Sequence, residues 1–128
     1  MAELKKILYV EDEPDIQAIA QLALESVGGF EVTICSSGQE AIEKAPGINP
    51  DMILLDVMMP GIDGPETLKR LREISSLKDT PAVFLTAKAM ATEIDLLMET
   101  GALEVIAKPF DPMTISDQLR KIWDAREN

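Results

Sequence analysis

The sequence predicts an α/β fold, a doubly wound parallel sheet of five strands with five helices. Three observations carry this. Five short apolar runs recur along 128 residues, they are rich in branched residues, and they do not alternate with polar ones. That pattern suits strands buried on both faces. Amphipathic segments at helical spacing separate the runs, so the chain reads βα five times, and such alternation implies a parallel sheet covered by helices on both sides. The length fits one domain, taken as residues 1–128, with no linker, repeat or low-complexity segment.

The first strand is Ile7-Leu8-Tyr9-Val10, followed by a helical stripe of Ile16, Ile19, Ala20, Ala23 and Leu24. The second run, Val32-Thr33-Ile34-Cys35, precedes a short helix over Glu40–Ala45 that Pro46-Gly47 should stop. Met52-Ile53-Leu54-Leu55 is the third strand, and Leu68, Leu71 and Ile74 mark its helix. Ala82-Val83-Phe84-Leu85 is the fourth, followed by Ile94, Leu97 and Met98, with Gly101 closing the helix. Val105-Ile106-Ala107 is the weakest strand. The last helix carries Ile115, Leu119, Ile122 and Trp123, with Asp111 as N-cap and Pro112 at its first position. Trp123 is read as a core anchor rather than an exposed contact.

Composition narrows the function. A net charge of −11 disfavours electrostatic nucleic-acid binding. The absence of histidine removes imidazole acid–base chemistry, histidine metal sites and a phosphohistidine on this chain. The single cysteine, Cys35, reads as a small buried hydrophobe. The apolar run at Ile7–Val10 is too short for a signal peptide core, and no run approaches the ~18 residues that span a membrane. The expected location is the cytoplasm.

Polar residues at the strand ends carry the chemistry. Strand one runs into Glu11-Asp12-Glu13, strand three into Asp56, strand four into Thr86 and strand five into Lys108-Pro109. In a parallel sheet these ends share one edge, where ligands bind. A solvated acidic loop explains most charge runs, as a plain β-former explains most threonines and a surface site most lysines. None of these explains why Asp56 directly follows a four-residue apolar strand while a lysine ends another. Clustered carboxylates without His or Cys are hard oxygen ligands suited to Mg²⁺, which leaves room for phosphate oxygens.

The chain resembles the CheY-like receiver domain of bacterial response regulators. The resemblance spans essentially the whole sequence and rests on Glu11-Asp12, on Asp56-Val57-Met58-Met59-Pro60-Gly61 with Gly64, on Thr86-Ala87, and on Lys108-Pro109-Phe110. It implies a flavodoxin-like strand order of 2-1-3-4-5, the order the CheY fold itself exemplifies. It implies that Asp56 accepts a phosphoryl group from a histidine kinase or histidine phosphotransfer protein, with Mg²⁺ as cofactor. Asp12 would bind the metal directly and Glu11 through water, beside Asp56 and the backbone carbonyl of Met58. Thr86 would offer its hydroxyl to a phosphoryl oxygen, and Lys108 would place its ammonium against Asp56 or the phosphoryl group. The Lys108–Pro109 bond is expected to be cis.

By the same resemblance, the module is a non-enzymatic phosphoaspartate switch, catalysing only its own phosphorylation and hydrolysis. A downstream partner would read the face formed by helix four, strand five and helix five. Phosphorylation-dependent homodimerisation is left open, as is whether an output domain accompanies this one. One departure stands out: Val105 occupies the position where many relatives carry Tyr or Phe. Burial of an aromatic ring cannot report a movement of Thr86 here. Three other readings are weaker. A haloacid-dehalogenase-type phosphatase would need a second Asp where Met58 stands, and a flavin carrier would need a phosphate loop where Glu11-Asp12-Glu13-Pro14 stands. A receiver-like binding module that is never phosphorylated would not need the full set of site residues.

Overall fold

A computed structural model describes residues 3–88 and 90–126. Five parallel strands, β1 (Lys6–Val10), β2 (Glu31–Cys35), β3 (Met52–Asp56), β4 (Ala82–Thr86) and β5 (Glu104–Ala107), form one sheet in the order β2-β1-β3-β4-β5. The register pairs Tyr9 with Ile34 and Leu54, Asp56 with Leu85, and Thr86 with Ala107. The five helices are α1 (Pro14–Gln21), α2 (Gly38–Ile48), α3 (Gly64–Arg72), α4 (Ala91–Glu99) and α5 (Ile115–Ala125). Among the described residues, no helix is long and apolar enough to cross a membrane.

The two-residue period of a strand explains the continuous apolar runs, because each face feeds a separate core. Ile7, Tyr9, Leu54, Val83, Leu85 and Ile106 pack with Ala20 and Leu24 on one side and with Ile115, Leu119 and Trp123 of α5. Leu8, Val10, Ile53, Leu55 and Phe84 face the other way, against Ala41 and Ala45 of α2, Leu68 and Leu71 of α3, and Leu97 of α4. The sheet is therefore covered by α1 and α5 on one face and by α2, α3 and α4 on the other. Trp123 is buried, and so is Cys35.

Several element boundaries differ from the sequence reading. Helix α2 does not stop at Pro46-Gly47. It starts at Gly38, where Ser37 caps it by accepting from the Glu40 amide, and runs through Pro46 to Ile48. Its end is set by Asn49, left-handed at φ 53°, whose amide donates to the Ala45 carbonyl. Half-buried Ile48 packs on the second core, and this packing outweighs the one intrahelical bond that Pro46 cannot make. Helix α5 begins at Ile115, not at Pro112. The Asp111 carboxylate accepts from the Met113 amide and closes a turn over 112–114, while the Asp111 carbonyl accepts from Thr114 and Ile115.

The first helical stripe is also interrupted. Residues Leu22–Val27 form a π-helical segment, in which the Gly28 amide donates to the Ala23 carbonyl. The buried Ser116 hydroxyl of α5 donates to that same carbonyl and props the bulge open. In α4 only Leu97 is buried, Ile94 is half-buried and Met98 is exposed. Gly101 does close that helix, at φ +97°.

Candidate acidic metal and phosphoacceptor site

The carboxyl edge of the sheet gathers the polar strand ends. Asp56 and Thr86 are the last residues of β3 and β4, and Glu11 follows β1 directly. The Glu11 amide donates to the Cys35 carbonyl, so pairing with β2 extends one residue past β1 and carries Glu11 inward. Lys108 follows β5, where its amide donates to the Thr86 carbonyl at 2.8 Å. The Lys108–Pro109 bond is cis, as expected from the resemblance. Gly64 lets α3 begin close beneath the site, since a Cβ there would lie 2.4 Å from the Asp56 carbonyl oxygen.

One oxygen each from Glu11, Asp12 and Asp56 lie within 4.8 Å of one another. Lys108 Nζ donates to Glu11 Oε1 and to Asp56 Oδ1, both at 3.0 Å. Glu11 and Asp56 are almost fully buried, and Asp12 is half-buried. Burial pushes the Asp56 carboxyl up to about 6; the hydrogen bond from Lys108 pulls it down, and the Glu11 charge raises it again. For Lys108, burial lowers the ammonium's affinity for its proton, but the bonds to Glu11 and Asp56 outweigh that and raise it. Lys108 is therefore a fixed cation.

Whether a divalent cation suits these residues is decided by two features. Three carboxylates face one ammonium, which leaves a formal −2 in the pocket. Glu11 is fully engaged: Oε1 accepts from Lys108 and from the Tyr9 hydroxyl, and Oε2 from the Glu13 amide. Asp12 Oδ1, by contrast, is buried with no hydrogen-bond partner. A buried carboxylate oxygen without a donor is costly. An orphaned hard oxygen beside two others, with net charge −2, fits a hard divalent cation.

Thr86 sits at the neighbouring strand end and is buried; its Oγ1 accepts from the Lys88 amide at 3.0 Å. Its own hydroxyl proton is not used in that bond. Met58 lies two residues beyond Asp56 and is 64% exposed. Val57, Met58, Thr86, Lys88 and Leu97 line a cleft beside Asp56. Val105 is half-buried against the α4 side of the core.

Two participants escaped the sequence reading. Tyr9 counts there only as a core residue, yet its hydroxyl donates to Glu11 Oε1 at 3.1 Å. Burial and the Glu11 charge hold the phenol far above its ordinary range, so it remains a donor. Its separation from Glu11 by two residues was the available signal, because such residues share a strand face. Gln17 is the second: its side-chain amide donates to the Glu11 carbonyl and to Ser36 Oγ, tying α1 to the ends of β1 and β2. The resemblance gave Lys108 one partner, Asp56 or the phosphoryl group; the structure shows that it also holds Glu11.

Comparison with known proteins identifies the family. The response regulator receiver domain family matches residues 7–120. The chain is 38% identical over 122 residues to the transcriptional regulatory protein CseB of Streptomyces avermitilis, covering 95% of this chain and 50% of that protein. It is 40% identical over 118 residues to the alkaline phosphatase synthesis transcriptional regulatory protein PhoP of Bacillus subtilis, covering 92% of this chain and 48% of that protein. The chain thus spans about half the length of these curated relatives. Among solved structures, the chemotaxis response regulator CheY4 of Vibrio cholerae superposes with a TM-score of 0.86 at 32% identity, covering 93% of this chain and 98% of that one. Strand order, matched family and structural neighbours converge: this chain belongs to the CheY-like response regulator receiver domains of two-component systems.

Proposed function

We propose that this receiver domain, residues 1–128, is a phosphoaspartate switch in which Asp56 accepts the phosphoryl group. The observation that carries this reading is the pairing of a buried Asp56 with Lys108 beside an orphaned Asp12 oxygen. Asp56 attacks the phosphorus of a phosphohistidine on a histidine kinase or phosphotransfer protein. The new O–P bond forms as the P–N bond breaks, and the imidazole leaves with its electron pair and takes up a proton. Lys108, already at Asp56, lies where negative charge gathers on the phosphoryl oxygens, and Thr86 turns its hydroxyl proton toward one of them. Asp12, Asp56 and the Met58 carbonyl would hold Mg²⁺, with Glu11 acting through water. When bound, the ion supplies the positive charge that lets a carboxylate approach an anionic phosphoryl group.

The domain regulates by population shift, since phosphorylation adds roughly −1.5 to −2 charge and favours a different surface. The reading face is α4, β5 and α5; α4 exposes Leu96 and Met98 there. The domain works in the cytoplasm, alone or as the receiver of a longer regulator. It has no catalytic role beyond its own phosphorylation and dephosphorylation.

The test is incubation with a small phosphodonor and Mg²⁺, followed by intact mass. Wild type should gain one phosphoryl group and Asp56→Asn none. No gain in wild type, with folding intact, would favour the receiver-like binding module that is never phosphorylated.

A further inference from the structure

The mechanism above leaves one buried polar group in the pocket unused, the hydroxyl of Tyr9. We propose that Tyr9 is a positioning residue: by holding Glu11 in place, its phenol sets how Lys108 is shared between Glu11 and Asp56. Tyr9 is fully buried in β1, within the core under α1 and α5. A phenylalanine would fill the same apolar space, so the hydroxyl needs a separate explanation. It donates to the oxygen that also accepts from Lys108: Glu11 Oε1 receives Tyr9 at 3.1 Å and Lys108 at 3.0 Å.

Glu11 is itself completely buried, so its charge must be met by donors. Two of its donors are fixed by the backbone or by packing, the Glu13 amide and the Tyr9 hydroxyl. Its backbone is pinned as well, through the Cys35 carbonyl and Gln17. Lys108 is the remaining donor, on a flexible stem, and it stands equally far, 3.0 Å, from Glu11 and from Asp56. Removing the phenol leaves a buried carboxylate one donor short. The movable ammonium is the group able to compensate, and it does so by leaning toward Glu11 and away from Asp56. The Tyr9 hydroxyl thus keeps Lys108 available to the residue that reacts.

The experiment compares Tyr9→Phe with wild type in the full chain. Without metal, the side-chain ammonium resonance of Lys108 should shift in Tyr9→Phe while the core amides of β3 and β4 stay in place. With saturating Mg²⁺ and a small phosphodonor, the phosphorylation rate should fall by about 3- to 10-fold, the order expected for one positioning hydrogen bond. An unmoved Lys108 resonance in folded Tyr9→Phe would overturn the proposal. A second variant covers the case in which Tyr9→Phe does not fold. Tyr9 is the single tyrosine of the chain, so the resonance of a carbon label at the tyrosine ring ζ position is its own. Glu11→Gln, which replaces a charged acceptor with a neutral one, should shift that resonance upfield; an unmoved resonance would equally overturn the proposal. The kinetic arm rests on Asp56 as phosphoacceptor. If Asp56 takes no phosphoryl group, that reading fails separately, and the Lys108 and Tyr9 signals still decide this one.

Discussion

Asp56→Asn should stabilise the metal-free protein. The wild-type carboxyl is buried and pushed up to about 6 from an ordinary 3.8, first by desolvation. An acid whose folded value is raised costs stability where the folded protein must ionise it. The unfolded chain releases the proton near pH 4, while the native state holds it to about pH 6. Stability therefore falls as pH rises through that window, and the full penalty persists above it. The shift corresponds to about 3 kcal/mol at pH 7.5. The amide cannot ionise, but it weakens the partnership with Lys108, so the expected net gain is ~1–2 kcal/mol, or about 3–10 °C in melting temperature for a chain of this size. Urea unfolding with a chelator present, followed by the fluorescence of Trp123, measures it at pH 7.5 and at pH 4.5. Because the penalty from this group shrinks to about a third at the lower pH, the advantage of the variant should shrink with it. Added Mg²⁺ should then stabilise wild type more than the variant, because binding to the native state alone shifts the equilibrium. Equal stability at pH 7.5, or a gap that widens as pH falls, would refute the electrostatic reasoning.

Four further outcomes follow from the same geometry. Asp12→Asn should weaken Mg²⁺ binding by about 10-fold or more in calorimetry and modestly stabilise the metal-free protein in urea unfolding, because it removes charge from a carboxylate whose buried oxygen has no partner in the protein. Gly64→Ala places a Cβ 2.4 Å from the Asp56 carbonyl; it should cost ~1–3 kcal/mol in urea unfolding and slow phosphorylation by displacing the end of β3. Met58→Asn should speed loss of the phosphoryl group, since the exposed Met58 side chain cannot orient water; an unchanged decay rate counts against this. A stable phosphoryl mimic with Mg²⁺ should move amide resonances across residues 86–107, and a spectrum unchanged there would reject a switch that works without an aromatic at 105.

How much of this was legible in the sequence depends on the kind of information each feature needs. Asp56, Thr86 and Lys108 could be placed together because a parallel sheet delivers every strand's carboxyl end to one edge, whichever strands are neighbours. The order β2-β1-β3-β4-β5 was not contained in periodicity; it came from resemblance and is met in the structure. Tyr9 was missed because four apolar-looking residues in a row conceal which face each one serves. Only the strand period links it to Glu11. Pro46 misled because a local rule was applied where packing by Ile48 and the Asn49 cap decided the outcome. The π-helical turn at Leu22–Val27 depends on Ser116, over ninety residues away by its hydrogen bond to Ala23, and no local pattern reports such a partner.

A thinly anchored helix, α4, stands next to the threonine of the pocket, and this offers the proposed switch a route that needs no aromatic ring at Val105. Thr86 Oγ1 is engaged by the Lys88 amide, so a side-chain rotation that carries Oγ1 toward a phosphoryl oxygen changes the bonding of the backbone at Lys88. Helix α4 follows closely. It has no side-chain cap at its start, Leu97 is its one fully buried residue, and Leu96 is 63% exposed. Little packing resists its displacement, whereas α5 is anchored by Ile115, Leu119 and Trp123. Local stability follows buried apolar contact, so a charge added at Asp56 would relax more cheaply through α4 than through α5. A half-buried Val105 beside that helix can follow the movement without rotating an aromatic side chain into the core. A switch driven by phosphorylation of Asp56, as proposed, would then run through Thr86, the Lys88 backbone and α4.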